Sequence, residues 1–273
     1  MKFITCTEAA AQMGITVRRI QQMCKNGEIP GAMKQGRTWL VPDSAIHNAA
    51  NNGINYTKRK KPLPIGIADF KVATNNYYYV DKTLLIRDFL DNKPMVSLFT
   101  RPRRFGKTLN MDMLRVFFEK TEEDTSKYFQ DKLIWQCGKG YTDYQGKYPV
   151  IFLSFKDVKC TTWSETLKMI SKLISMEFAR HSELEGSSKL NAFEKTQYNE
   201  LATEKADDVD YQMSLQLLSL LLHKHYGAKA IIIIDEYDTP IQQGHSCGFY
   251  DEIISFMRNF FSGGLKDNAH LAY

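Results

Sequence analysis

An α/β fold, a parallel sheet flanked by helices with a small winged helix-turn-helix domain in front of it, is predicted by three observations. Residues 101–108 read RPRRFGKT, between an apolar run and an amphipathic stretch. Residues 230–238 read AIIIIDEYD, an apolar run of strand-forming residues that ends in acids. The first 62 residues hold 10 Lys+Arg against 3 Asp+Glu, a net of +7, while the remainder of the chain sums to −2. A basic head on a near-neutral body points the head at a polyanion.

The head opens with two short helical patterns over residues 5–27, joined at Gly14, where a left-handed turn costs little. Thr16 is placed to cap the second helix and Gly27 to end it. On that helix Val17, Ile20 and Cys24 recur at spacings of three and four and define a buried face. Arg18, Gln22 and Lys25 fall on another face, with Arg19 and Gln21 beside them. Such a face suits base edges and phosphates in a major groove. A solvated basic face, or one that docks on protein, fits the same charges. Lys34-Gln35-Gly36-Arg37 then predicts a tight turn between strands at 29–33 and 38–41, a small wing with Trp39 packed inward. Residues 49–64, with Asn, Gly, Pro and the basic run Lys58 to Lys61, read as a linker.

From residue 65 onward, apolar strands and amphipathic helices alternate, the pattern of a parallel sheet covered on both faces. Met95 to Phe99 reads as the strand leading into the 101–108 loop, and Leu109 to Glu119 as the helix leaving it. Val150–Phe155 reads as a second strand, and Ser164–His181 and Tyr211–Tyr226 as helices. In Ala228–Ile234, four consecutive isoleucines suit a strand buried on both faces. Residues 182–210 are polar and acidic and read as a surface insertion with one weak helix. Thr239 followed by Pro240 reads as an N-cap with proline at the first helical position. Asp238 then either orients that helix start or touches a bound nucleotide.

A loop between a strand and a helix N-terminus, ending in Gly-Lys-Thr, is a phosphate cradle, because backbone N–H groups and the helix dipole both favour anions. The candidate ATP-binding residues are Arg101, Pro102, Arg103, Arg104, Phe105, Gly106, Lys107 and Thr108. Lys107 places a positive charge on the β- and γ-phosphates and, with Glu236, is assigned to catalysis. The Thr108 hydroxyl and Asp235 are the candidate Mg²⁺ ligands, and Glu236 is placed to polarise the attacking water. The loop departs from G-x-x-x-x-G-K-[ST]: Arg101 stands at the first glycine, and Pro102 removes an N–H. For Arg103 and Arg104, an ion pair with acidic helices and a contact to the γ-phosphate are both open.

A composition of 43% hydrophobic and 25% charged residues is that of an ordinary globular chain. The longest apolar run, Ala230 to Ile234, is far too short to span a bilayer. The N-terminus has no sustained apolar core of the secretory kind. Five cysteines with no C-x-x-C pair exclude a zinc ribbon and predict reduced thiols in a cytoplasm. His223-Lys224-His225 reads as a solvated helix end.

Two resemblances sharpen these readings. TEAAAQMGITVRRIQQMCKNGEIPGA, the glycine turn and TWLVPDSAI together resemble the excisionase-like, MerR-type helix-turn-helix domains. That likeness implies binding of duplex DNA, with Arg18, Arg19, Gln22, Lys25 and Arg37 as contacts. From Pro64 to the chain end, GIADFKVATNNYYYVDKT, LFTRPRRFGKTLNMDML, PVIFLSF and IIIIDEYDTPI resemble the bacterial AAA-ATPase-like family. Its members usually carry a PD-(D/E)XK nuclease-like domain at the C-terminus. The family's own loop reads RPRRFGK, so Arg101 belongs to its pattern. The YVDKT element, with Asp81-Lys82, is a further motif: a surface turn or helix cap explains it as well as a base-binding or catalytic role does.

This chain departs from the family by carrying the head and by stopping at Tyr273. In the fold class that the resemblance implies, a further strand inserts between the acid-ended strand and the strand before the loop. It would begin near Leu271, so the P-loop sheet is expected to be incomplete at its C-terminal end. Turnover would then be poor. The expected division is a DNA-binding domain over 1–48, a basic linker over 49–64 and a partial AAA-ATPase-like P-loop domain over 65–273. The expected protein is a cytoplasmic, ATP- and Mg²⁺-binding protein of the ATPase type with a DNA-binding head. The alternative is a transcriptional or excisionase-like regulator whose body binds nucleotide without turning it over.

Overall fold

Thr5 organises the start of the chain. Its hydroxyl accepts from the Glu8 N–H and the Glu8 carboxylate accepts from the Thr5 N–H, a capping box that opens α1 (Cys6–Met13) directly from β1 (Phe3–Thr5). The computed structural model describes residues 2–46, 61–100, 105–266 and 268–272. The chain divides into two units, Met1–Pro62 and Leu63–Tyr273.

In the first unit, α2 (Val17–Lys25) is capped by Thr16, whose hydroxyl accepts from the Arg19 N–H at 3.4 Å, and Gly27 follows its end with φ +70°. β2 (Met33–Gln35) and β3 (Thr38–Pro42) form the expected hairpin. β1 adds to β3 on the other side, so the wing is an antiparallel sheet in the order β1-β3-β2. The first hairpin strand is later than the expected 29–33: Ile29 is buried in the core and Gly31, at φ +77°, bends the chain before Met33. The buried face of α2 is Ile20, Met23 and Cys24, packed with Ile4, Ala9 and Val41. Most of the expected linker, residues 49–60, lies outside the described residues.

The second unit is a helical body around a short parallel sheet. Its elements are α3 (Phe70–Asn76), α4 (Leu84–Asn92), α5 (Lys107–Phe118), the one-turn helices α6 (Leu133–Gln136) and α7 (Lys139–Thr142), and β4 (Val150–Ser154). After these come α8 (Trp163–Arg180), α9 (Ala192–Ala202), α10 (Asp208–Tyr226), β5 (Ile231–Asp235), α11 (Asp238–Cys247) and α12 (Tyr250–Leu265). β4 and β5 pair in parallel, from Val150 opposite Ile231 to Ser154 opposite Asp235. One face of the pair, through Val150, Ile231 and Ile233, packs on an aromatic cluster that includes Phe70, Phe117 and Phe118. The other, through Ile151 and Leu153, packs on α8, α10 and α12 with Phe178, Leu218 and Phe260. Burial on both faces is why the isoleucine run carries no alternation.

The stretch 182–210 is no mere surface insertion. Leu184, Leu190, Tyr198 and Leu201 are buried in the same cluster as α8 and α10, and Asn191 with Glu194 forms a capping box that starts α9. Helix α12 lies so close on α10 that a Cβ at Gly264 would stand 2.7 Å from Leu215 Cβ.

The two outer edges of the sheet are treated differently. On β4, the Phe152 N–H donates to Glu177 at 2.7 Å, and the Val150 carbonyl accepts from Arg180. Arg180 also binds Glu177 and Glu119, so side chains of α8 close that edge and tie it to the end of α5. Burial raises the Glu177 pKa, but Arg180 and His181 outweigh it and hold the carboxyl below its ordinary range. On the β5 side, Ala230, just before the strand, is the residue paired among those described: its N–H donates to His270 at 2.8 Å and its carbonyl accepts from Ala272 at 2.7 Å, a parallel bridge to Leu271.

Beyond that bridge, β5 faces a groove of about 310 Å³ whose far side is Met95, Val96, Leu98 and Phe99. The strand expected at 95–99 is not in the sheet. Met95, Val96 and Leu98 are exposed, and among the described residues no strand pairs with them.

Replacing Arg180 by Met should destabilise the body by about 3 kcal/mol, since it takes the shared guanidinium from the buried Glu177 and Glu119 carboxylates and from the Val150 carbonyl. Urea unfolding should show a lowered midpoint. An unchanged midpoint would show that the clamp does not contribute.

Candidate functional site

The C-terminal end of β5 and the N-terminus of α5 meet in one place. Gly106, at φ +75° and ψ 26°, is the N-cap of α5 and offers no side chain to it. The first-turn N–H groups of the helix are therefore left without a side-chain cap, the arrangement that accepts an anion. Thr108 Oγ1 donates to Asp235 Oδ2 at 2.7 Å, a bond between residues 127 apart in the chain. Lys107 Nζ stands 3.8 Å from Asp235 Oδ1, an ion-pair distance but outside hydrogen-bond range.

Asp235 is 1% exposed, and its Oδ1 has no hydrogen-bond partner. Ser154, its neighbour in register across the sheet, also has a buried hydroxyl with no partner. A buried polar atom left unsatisfied costs about 1–3 kcal/mol. Two of them side by side at the mouth of the sheet mark a place where water, a cation or a ligand would be bound. The Thr108 hydroxyl and the Asp235 carboxylate, with its spare Oδ1, are hard donors of the kind that suits Mg²⁺.

Glu236 follows immediately at φ +51°, a left-handed conformation that a non-glycine residue adopts at a cost of about 1–3 kcal/mol. Its carboxylate accepts from Thr239 Oγ1 at 3.5 Å and borders the groove beside β5. Thr239 is not the N-cap that Pro240 suggested: α11 begins at Asp238, with Tyr237 as N-cap, so both residues lie within its first turn. Asp238 Oδ2 accepts from Gln242 one turn on.

Of the expected phosphate loop, Gly106, Lys107 and Thr108 gather with Asp235 and Glu236, while the Phe105 side chain is exposed. Arg101, Pro102, Arg103 and Arg104 lie outside the described residues. Ser154 escaped the sequence reading. Its position at the end of PVIFLSF, matching Asp235 on the next strand, is the signal that would have found it.

The YVDKT element stands beside this cleft. Asp81 accepts from the Thr83 N–H and Thr83 Oγ1 at 2.8 and 2.7 Å, and from the Leu133 N–H at 2.8 Å. Thr83, fully buried, accepts in turn from the Ile134 N–H. Asp81 is thus a cap that joins the start of α4 to α6. Lys82, between them, is exposed.

On the head, Arg18, Arg19, Gln22, Lys25 and Arg37 are all exposed. Arg19 pairs with Glu28 at 3.8 Å, and Gln22 donates to Asn26. Arg18, Lys25 and Arg37 face solvent with no carboxylate partner among the described residues.

An acid-ended parallel strand hydrogen-bonded to a Gly-Lys-Thr helix defines a nucleotide-binding class of α/β protein. The comparison of sequences agrees: residues 64–273 match the family described as predicted AAA-ATPase, and residues 3–53 match a helix-turn-helix domain. The chain belongs to this AAA-ATPase-like family, which implies nucleotide binding, and its helix-turn-helix domain suggests DNA binding. It is similar to a protein of Azotobacter chroococcum mcd 1, "Uncharacterized protein in vnfD 5'region", with 25% identity over 217 residues. That match covers 78% of this chain and 36% of the other, so the chain spans about a third of the relative's length. No solved structure matches. Among the described residues, no helix is long and apolar enough to cross a membrane.

Asp81→Asn should lower stability by about 1–3 kcal/mol, because an amide cannot accept at both of the positions where the carboxylate now takes three N–H and O–H bonds. Thermal melting checks it, and a wild-type melting temperature would refute the capping role.

Proposed function

We propose that the body binds ATP with Mg²⁺ at the junction of α5 and β5, and that the head binds duplex DNA. The observation that carries the first half is the buried, unsatisfied Asp235 Oδ1, set beside Lys107 and Thr108 at an uncapped helix N-terminus. In this reading Arg101 to Thr108 wrap the phosphates and Lys107 neutralises the β- and γ-oxygens. Thr108 and Asp235 would hold Mg²⁺, which when bound draws charge from the phosphate oxygens. Glu236, pre-set by its strained backbone, would orient and polarise a water.

A second reading has a specific observation in its favour. Residues 95–99, which lead into the loop, are unpaired across an open groove. A phosphate loop hung on an unpaired segment is poorly positioned, and phosphoryl transfer depends on positioning. Nucleotide binding without appreciable turnover, in a DNA-binding regulator, fits that geometry. The finer likenesses, to excisionase-like heads and to bodies followed by a PD-(D/E)XK nuclease-like domain, support a reading in mobile-element or defence biology by family association alone.

Lys107→Ala should weaken Mg·ATP binding by about 1.5–3 kcal/mol, the worth of a charge-assisted bond. Glu236→Gln should spare binding and remove any hydrolysis. Calorimetry giving equal affinity for wild type and Lys107→Ala would sink the site. Turnover that is at background in wild type, with binding intact, selects the non-catalytic reading.

For the head, affinity for duplex DNA should fall with salt at a log–log slope of roughly −0.9 per phosphate neutralised. Arg18→Ala and Lys25→Ala should each make that slope shallower by about one unit. A salt-independent gel shift, or none with a mixed duplex pool at low salt, contradicts DNA binding.

A further inference from the structure

Lys82 belongs to the YVDKT element, which the nucleotide reading leaves without a task. Its ammonium nitrogen lies 3.7 Å from where a Cβ on Gly106 would stand, at the N-cap of α5. The turn that presents it is built on both sides. The Lys82 N–H donates to Tyr79 Oη at 3.4 Å, Asp81 fastens the turn to α6, and Thr83 is fully buried. Yet the Lys82 side chain itself has no hydrogen bond or ion pair among the described residues.

A firmly held backbone carrying an unpaired ammonium toward a helix N-terminus is an unfavourable meeting of positive ends, unless an anion lies between them. Two residues on from Gly106, Thr108 bonds to Asp235, whose Oδ1 is buried and unsatisfied like the Oγ of its register neighbour Ser154, so two independent features mark this helix start as a ligand site. Gly106 fits this arrangement. Its left-handed backbone disfavours a side chain, and the missing side chain leaves the space between the helix start and Lys82 open.

Resting on the reading of this cleft as a nucleotide site, we propose that Lys82 binds the phosphate chain of the nucleotide as a second ammonium, supplied from outside the 101–108 loop. Asp81 and Thr83 are its positioning residues. The YVDKT element is then a second phosphate-binding element, and the phosphates meet two lysines, Lys107 at the start of α5 and Lys82 on its fastened turn.

The test is calorimetry with Mg·ATP on the full chain for wild type, Lys82→Ala, Lys82→Arg and Lys107→Ala, with melting curves in the absence of ligand. Lys82→Ala should weaken Mg·ATP about tenfold or more, the worth of one charge-assisted bond, and should make binding less sensitive to salt. Its ligand-free melting temperature should stay at the wild-type value, and Lys82→Arg should recover most of the affinity. If Lys82→Ala binds as wild type does while Lys107→Ala does not, the proposal fails and the cleft reading stands. If wild type binds no Mg·ATP, both fall. If Lys82→Ala melts early, Lys82→Arg decides: restored affinity supports the contact, and affinity that stays low overturns it.

Discussion

The clamp of Arg180 and Glu177 on β4 is the constraint from which the body takes its arrangement. A sheet of two strands is marginal in water unless its faces are covered and its edges are satisfied. Here helices cover both faces, and α8 supplies a carboxylate and a guanidinium to the backbone of β4. The same guanidinium reaches Glu119 at the end of α5, whose Glu119 also pairs with Arg115 at 2.9 Å. One ionic cluster thus fixes the strand, the helix behind it and the helix that starts at Gly-Lys-Thr. Desolvating these charges is expensive, and the expense is recovered only because each carboxylate has more than one partner.

At the other end of α5 the chemistry changes sign and purpose. The C-terminal end of the helix is pinned by paired charges, while its N-terminus faces Asp235 across a single hydrogen bond and an ion-pair distance. The polar groups at the sheet mouth are under-satisfied where those at the base are over-supplied. That contrast separates a structural cluster from a binding cleft more clearly than the number of charges in either. Asp81 shows the same distinction within three residues: its oxygens are consumed by the fold, and the neighbouring Lys82 is left free.

What was legible in the sequence is what local chemistry decides. Gly-Lys-Thr at a helix start and Asp-Glu at a strand end come together, although 127 residues separate Thr108 from Asp235. Thr16 and Gly27 cap and end their helix because those roles depend on a side-chain oxygen and a left-handed backbone. The misreadings lie where a neighbour decides. The 95–99 run has the composition of a strand but no partner to pair with, and composition cannot supply one. Residues 182–210 looked like surface because the stretch is polar and rich in acids, yet Tyr198 and Leu201 are buried as an anchor. Pro240 suggested its own helix position wrongly, since the turn began at Asp238. The approach of Lys82 to Gly106 is a tertiary contact with no local signature.

The open side of β5 gives the sheet a direction of growth. Because Ala230 is already bridged to Leu271 in parallel, the polarity and register of any backbone entering the groove are settled before it arrives, and Ile232 is the first residue with groups to offer. Pairing that begins from a formed first rung avoids the costly step of bringing two distant segments into alignment, much as a zipper closes once its ends are engaged. The same geometry makes the edge a seed for adhesion between molecules, since an apolar strand side that accepts one parallel neighbour does not ask which chain it comes from. Within the parallel sheet of the body, the sealed edge of β4 and the open edge of β5 therefore direct both ordered extension and unwanted stacking to the β5 side.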